Sequence, residues 1–243
     1  MIKRAPSLVE QVKSHLKERI VNAEFDSGRI PSETDLADEL SVSRNTVRDA
    51  LSRLEMEGVV YRKQGAGTFV NQANQLVKTR LEEIVPYDIL IKEHGYTPSI
   101  KVICTEETTV KPEITQLFNQ KPDEKILVVQ KLFLADNQPV IFTHSHIPTN
   151  IIQHPYSIDD FQAPTFHFLP NFCRQSLAYY LTDIVPLITP LWLAERLQLP
   201  KTQTAILSFK EIGYNQENTP IIKAASYFRD DLLRLRLMRR YVT

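Results

Sequence analysis

From Pro6 to Ile20, apolar residues return every fourth position as Leu8, Val12, Leu16 and Ile20, with Glu10, Lys13, Lys17 and Glu18 between them. This spacing predicts an amphipathic helix. The stretch FDSGRIPSETDLADEL then turns through Gly28 and Pro31 into a second helix. There Ser32 can cap the start, Asp35 can complete a capping box three residues later, and Leu36, Ala37 and Leu40 supply the buried stripe. SVS breaks the chain again, and Ser43 is placed to cap a third helix from Arg44 to Gly58, where glycine ends it. At about 100° per residue, Val47, Ala50, Leu51 and Leu54 of that helix gather on one face, while Arg44, Asn45, Arg48 and Ser52 gather well over a right angle away. One face is predicted to be core and the other free.

Two short strands follow, Val59 to Lys63 and Thr68 to Val70, joined by QGAG. In that joint Gly65 and Gly67 admit positive φ and let backbone approach another molecule closely. Three helices and a hairpin, in that order, predict a winged helix-turn-helix over residues 1–70. Residues 71–80, NQANQLVKTR, are polar and poorly periodic and are assigned as a linker. Residues 81–243 then change character to α+β. PSIKVICTEETTV and KILVVQKLFLAD are strand-like, and the turn DNQP leads into the returning strand VIFTHSHI. Helices are expected at PEITQLFN, over residues 158–170, and at TPLWLAERLQL. RQSLAYYLTDIVP, TAILSFKEIGYNQENTPIIKAASYF and the alternating LLRLRLM complete a largely antiparallel sheet, because hairpins rather than long crossovers join these strands.

Composition narrows the class further. A chain of 243 residues with 42% hydrophobic and 24% charged positions is that of a globular protein, and its length favours two domains. No stretch reaches the ~18 continuous apolar residues of a membrane span, and charged residues interrupt the N-terminus too early for a secretory signal. A cytoplasmic location without a membrane partner is therefore expected. Cys104 and Cys173 are far apart and lack any metal-ligand spacing, which predicts two buried thiols rather than a disulfide framework or a zinc site. The 29 basic residues cancel the 29 acidic ones, so a nucleic-acid contact must come from local placement.

Such placement exists. Arg44 and Arg48 stand one helical turn apart, and a guanidinium can fork onto guanine O6 and N7 or clasp a phosphate. Asn45 offers the paired donor and acceptor that suit adenine, while Ser43 and Thr46 sit at the helix N-terminus, where hydroxyl and N–H groups meet phosphate. The alternative is an exposed face on which the arginines are merely solvated or pair with acids such as Asp49 and Glu55. The whole segment GRIPSETDLADELSVSRNTVRDALSRLEMEGVVYRKQGAGTFV resembles the DNA-binding domain of the GntR family of bacterial transcription regulators. The resemblance implies contacts to operator DNA from Ser43, Arg44, Asn45 and Arg48, with a wing tip of Lys63, Gln64 and Gly65 in the minor groove. Thr34 departs from the family, which often has a basic residue there, so one contact is missing from the pattern. A two-fold homodimer on pseudo-palindromic double-stranded DNA is the expected assembly.

The remainder resembles the ligand-sensing UTRA domain of the HutC subgroup, an α+β antiparallel-sheet domain of chorismate-lyase-like type. KLFLADNQPVIFTHSHIP, APTFHFL, LAERLQLP and PIIKAASYFRDD carry that likeness. It implies a pocket for a small-molecule effector, drawn from Lys131, Phe133, Thr143, Thr165, Phe166, His167, Tyr227 and Arg229. Lys131 and Phe133 stand where the family commonly has two arginines, and Thr143 where it has glutamate, so a less anionic or partly apolar effector is expected. Lys131 is equally readable as a solvated strand residue, and Phe133 as core. Tyr179 and Tyr180 put one ring on each face, so at most one would line the pocket, and Trp192 reads as core. His144 and His146 share a strand face but lack a third ligand, so neither metal nor cofactor is expected. Two alternatives stand beside this reading: a ligand-blind dimerisation module, and a lyase-like enzyme for which no nucleophile motif, HExxH or phosphate loop is present.

Overall fold

The computed structural model describes residues 7–72, 83–121, 123–200 and 204–236. These fall into two compact units, residues 7–72 and 83–235. No helix among the described residues is long and apolar enough to cross a membrane.

In the first unit α1 (Leu8–Val21), α2 (Glu33–Leu40) and α3 (Arg44–Met56) precede the hairpin of β2 (Val60–Lys63) and β3 (Gly67–Val70). Ser7 caps α1, while Pro6 lies outside the described residues. The Ser32 and Asp35 capping box forms in both directions at α2, and the Ser43 hydroxyl accepts from the Thr46 N–H at α3. The last helix closes at Glu57 because Gly58 takes a φ of +73°. A strand that periodicity did not predict, β1 (Arg29–Ile30), pairs antiparallel with β3, giving a three-stranded wing sheet in the order β1-β3-β2. Two residues are too few to show an alternation.

The stripes meet as expected. Val12, Leu16 and Ile20 of α1, Leu36 and Ala37 of α2, and Val47, Ala50, Leu51 and Leu54 of α3 form one buried cluster with Phe25, Ile30, Val59, Val60 and Val70.

The second unit is a six-stranded, wholly antiparallel sheet in the order β4-β5-β6-β9-β8-β7. Its strands are β4 (Pro98–Thr108), β5 (Ile126–Ala135), β6 (Gln138–Pro148), β7 (Tyr179–Ile188), β8 (Ala205–Tyr214) and β9 (Pro220–Phe228). The β5-β6 hairpin turns on Asp136 and Asn137, both at positive φ, as a two-residue turn requires. Helices α4 (Tyr87–Glu93), α5 (Pro112–Leu117), α6 (Thr165–Phe172) and α7 (Leu191–Leu197) complete the unit. On one sheet face α4 packs with Phe133, Ile141, Phe209 and Phe228, and α6 packs further along with Leu127, Val129, Ile147 and Phe161. Helix α7 covers part of the opposite face through Leu193 and Leu197 against Leu132, Phe142 and Ile206.

Several expectations need correction. The predicted helix over 158–170 is two pieces, a 3-10 turn at Ile158–Phe161 and α6, because Pro164 cannot continue a helix and serves instead as the cap of α6. LLRLRLM does not extend the sheet in its described part: residues 232–236 are turn and coil, and the last two positions lie outside the described residues. Helix α4, which positions one wall of the unit, escaped the periodicity because it is only seven residues long. Cys173 is buried but Cys104 is only half-buried, since it sits beside a bulge on edge strand β4. Trp192 is 48% exposed, its ring edge packing on Phe142 and Tyr227 from the first turn of α7. The linker assigned to 71–80 falls almost wholly outside the described residues.

Leu54 is fully buried in the helical core of the first unit. Leu54→Ala is expected to cost about 2–5 kcal/mol of that unit's stability through the cavity it leaves. Chemical denaturation followed by helix signal measures the loss, and a change within 0.5 kcal/mol would contradict this packing.

Candidate functional site

The exposed face of α3 carries Arg44 and Arg48, with side chains 60% and 51% accessible. Behind them Val47, Ala50, Leu51 and Leu54 are sealed at 0–1% exposure. Ser43 and Thr46 fold onto each other at the helix start, their hydroxyls 2.9 Å apart. The hairpin projects Lys63, Gln64 and Gly65 into solvent, with Gly65 at a φ of +74° and Ala66 N–H returning to the Lys63 carbonyl.

Both arginines turn toward an acid that sequence reasoning did not single out. Glu33 of the PSE turn receives the Arg48 Nε at 3.1 Å, and the guanidiniums of Arg62 and Arg44 approach it at 3.7 and 3.9 Å. The alternative pairing with Asp49 or Glu55 is therefore not the arrangement seen for Arg48. Arg62 of β2 divides its guanidinium between Glu33, Glu55 and the Ser52 hydroxyl. Three guanidiniums crowd one partly exposed carboxylate, so positive charge remains for an incoming anion. Pairs this exposed are each worth no more than about 1 kcal/mol and yield to a better partner.

The second unit holds a cavity of about 530 Å³ on the sheet face between α4 and α6. Period-2 alternation builds its floor. Thr143 of β6 stands beside Ser226 of β9, Ser226 beside Phe209 of β8, and Phe209 beside Ile184 of β7. One row on, Ser145, Ala224, Glu211 and Thr182 repeat the arrangement. Tyr87 of α4 reaches down to donate to Ser226 Oγ at 2.9 Å, and the Thr182 hydroxyl donates to Glu211 Oε1 at 3.0 Å. Burial raises the Glu211 carboxyl above its ordinary range, a rise that the Thr182 bond opposes. Gly213 makes room for the Tyr180 ring, since a Cβ there would lie 2.8 Å from Tyr180 Cε1.

Of the eight residues expected to meet an effector, Phe133, Thr143, Thr165 and Phe166 line this cavity. The other four lie outside it. Lys131 is wholly buried rather than solvated, its ammonium donating to the Ala163 carbonyl at 2.6 Å and lying over the Phe161 ring. Desolvation lowers its pKa to about 7. His167 is exposed, one position round α6 from Phe166. Tyr227 points to the opposite sheet face, against Phe142 and Trp192. Arg229 is consumed by Asp231 and by the carbonyls of Pro139 and Leu197.

Both Tyr179 and Tyr180 border the cavity, yet the Tyr179 ring stacks on Tyr214 on the far face, so the alternation holds for the rings themselves. Sequence reasoning missed Tyr87, Ser145, Thr182, Glu211 and Ser226 as wall residues. The signal was available for Ser145, two positions from Thr143 on one strand; the others needed the strand order. His144 and His146 pack ring to ring at 4.5 Å, and burial lowers both pKa values. No group of three metal-ligating side chains is assembled among the described residues.

Comparison with known proteins matches residues 8–70 to the bacterial regulatory proteins of the gntR family and residues 93–234 to the UTRA domain. The chain is 26% identical over 222 residues to the HTH-type transcriptional repressor NagR of Bacillus subtilis, covering 91% of this chain and 90% of that protein. It is 25% identical over 208 residues to the HTH-type transcriptional regulator GgaR of Escherichia coli, covering 84% and 79%. Among solved structures, the possible transcriptional regulator YydK of Bacillus subtilis superposes with a TM-score of 0.76 at 16% identity, over 97% of this chain and all of that one. The matched family and the relatives NagR and GgaR are transcription regulators, which removes the lyase-like alternative.

Lys131 supplies a test of the packing beside the cavity. A lysine with a folded pKa of about 7 and an unfolded value of about 10.4 leaves the unfolded chain holding more protons between those limits. Stability is therefore gained as pH rises through that window, by up to about 1.4 kcal/mol per pH unit. Lys131→Met should remove this increment and leave the protein at least as stable at pH 7, as read from denaturation midpoints of both proteins across pH 7 to 10. A variant strongly destabilised at every pH would mean that the bond to Ala163 and the contact with Phe161 outweigh the desolvation of the amine.

Proposed function

This chain belongs to the gntR family of bacterial regulatory proteins and carries a UTRA domain, and we propose that it is a repressor whose hold on operator DNA is set by a small molecule in the sheet cavity. The observation that carries the DNA half is the division of α3. An apolar stripe sealed in the core leaves Arg44 and Arg48 no orientation but outward, at the N-terminal end of a helix slim enough for the major groove.

In this reading Arg44 and Arg48 leave Glu33 for guanine edges or phosphates, and Asn45 addresses a neighbouring base. Ser43 and Thr46 meet phosphate with the helix dipole behind them. Lys63, Gln64 and Gly65 take the wing tip into the flanking minor groove, where the absence of a Cβ at Gly65 permits close approach. Each bidentate base contact contributes about 1–3 kcal/mol of discrimination. One unit presents too few contacts for genomic selectivity, so two copies related by a two-fold axis read two half-sites of a pseudo-palindrome.

The second unit supports effector control by its cavity, whose volume lies within the range of small-molecule sites and whose wall mixes aromatic rings with hydroxyls. An effector changes operator affinity only through unequal affinity for the DNA-bound and free arrangements; a coupling of about 1–3 kcal/mol corresponds to roughly 5- to 150-fold.

A gel-shift titration with the DNA upstream of the protein's own gene is expected to give a sequence-specific complex containing two chains. The double substitution Arg44→Ala, Arg48→Ala should reduce its affinity by at least about a hundredfold at unchanged thermal stability. Lys63→Ala should weaken specific and nonspecific binding alike and lower the salt slope by about one. A double variant that binds as the parent does would remove α3 as the reading element.

A further inference from the structure

We propose that the sheet cavity takes a small organic molecule carrying a protonated amine beside hydroxyl groups, with the Glu211 carboxylate as the partner of the amine. This rests on the reading of the second unit as an effector domain and adds the chemistry of the effector.

The first support is the set of unmet hydrogen-bonding groups. Among the described residues, Thr143 Oγ1, Ser145 Oγ, the Tyr180 hydroxyl and Glu211 Oε2 have no protein partner, and all four belong to residues lining the cavity. Thr143 and Ser145 are nonetheless 6% and 4% exposed. The four atoms are not sealed but open to the cavity, so a ligand with matching donors and acceptors can take the place of water on them. These groups also lie within one ligand's reach. Ser145 and Glu211 flank Ala224 on successive strands, two strand spacings or roughly 9.5 Å apart, and Tyr180 belongs to the next row. A molecule of monosaccharide size spans them.

The second support is the sign of the charge. Among the described residues the wall contains no lysine, arginine or histidine, and its enclosed carboxylate is Glu211, since Glu83 at the rim is exposed and has an interaction of its own. The buried Lys131, outside the wall, is turned to the Ala163 carbonyl, and desolvation lowers its pKa to about 7. Glu211 is far the more enclosed of the two carboxylates, and only one of its oxygens is satisfied, by Thr182. A phosphate or carboxylate entering here would add a like charge where little water screens it. An ammonium instead replaces the hydration that Glu211 lost and forms a charge-assisted bond with the open oxygen. Phe133, Phe166, Phe209 and Ile222 offer an apolar bed for the carbon skeleton.

The test uses the full-length chain and a library of small hydroxylated primary amines, each beside the alcohol and the phosphate ester of the same skeleton. 2-Amino-1-phenylethanol with 1-phenyl-1,2-ethanediol and its phosphate forms one such trio. Thermal shift and calorimetric titration are expected to rank the amine first within the trios that bind. The isosteric Glu211→Gln should weaken the best amine about ten- to a hundredfold while leaving its alcohol unchanged. Tyr180→Phe, which keeps the ring, should weaken both. Silence of every amine, preference for the phosphate ester, or full amine affinity in Glu211→Gln would each overturn the proposal. Gel shifts with the same compounds separate it from the effector reading. Release of operator by phosphate esters alone keeps the effector reading and rejects the amine. Amine binding without any effect on operator affinity keeps the site and rejects the effector reading.

Discussion

The burial of one stripe on one helix governs what the first unit can do. Val47, Ala50, Leu51 and Leu54 form a patch that α1 and α2 complete from the other side, and all four lie at 0–1% exposure. Turning α3 by a single residue rotates that patch by about 100° and drives a guanidinium toward the core, at a desolvation cost that the remaining contacts could not offset. The helix thus has one stable setting, and its polar side chains inherit a direction from residues they never touch.

Glu33 adds a second layer to that direction. It stands in the first turn of α2, where the helix dipole favours a carboxylate, and it draws Arg44 and Arg48 of α3 and Arg62 of β2 toward one point. These exposed pairs hold the guanidiniums in a narrow range of positions without binding them tightly. In the proposed DNA complex, the same carboxylate repels phosphate wherever an arginine does not intervene. An acid in the middle of a DNA-facing surface therefore trades bulk affinity for placement. The near-cancelling charge of the whole chain fits a protein that relies on placement.

The second unit obeys a different period. Along every strand of the six-stranded sheet, alternate residues belong to the cavity face, so a register set at the hairpins propagates across four strands. Lys131 and Thr143 are direct neighbours in that register. Thr143 opens into the cavity, whereas Lys131 is covered by the chain entering α6 and donates a hydrogen bond to the Ala163 carbonyl. A single strand spacing separates a wall hydroxyl from a sealed, easily neutralised amine. That is why the lysine at position 131 adds no charge to the cavity wall.

Local sequence determined the first unit nearly completely. Its helices are amphipathic at period 3.6, its caps are Ser7, Ser32 and Ser43, and its wing turns on glycines, so each element is specified within a few residues of itself. The strands of the second unit and the β5-β6 turn at Asp136 and Asn137 were legible for the same reason. The membership of the cavity wall was not, because Tyr87, Glu211 and Ser226 come together only through the strand order β6-β9-β8-β7 and the packing of a seven-residue helix over it. Lys131, Tyr227 and Arg229 escaped the cavity for related reasons. A buried carbonyl, an opposite sheet face and a cluster of nearby acceptors are properties of three-dimensional neighbours, and no spacing along the chain encodes them.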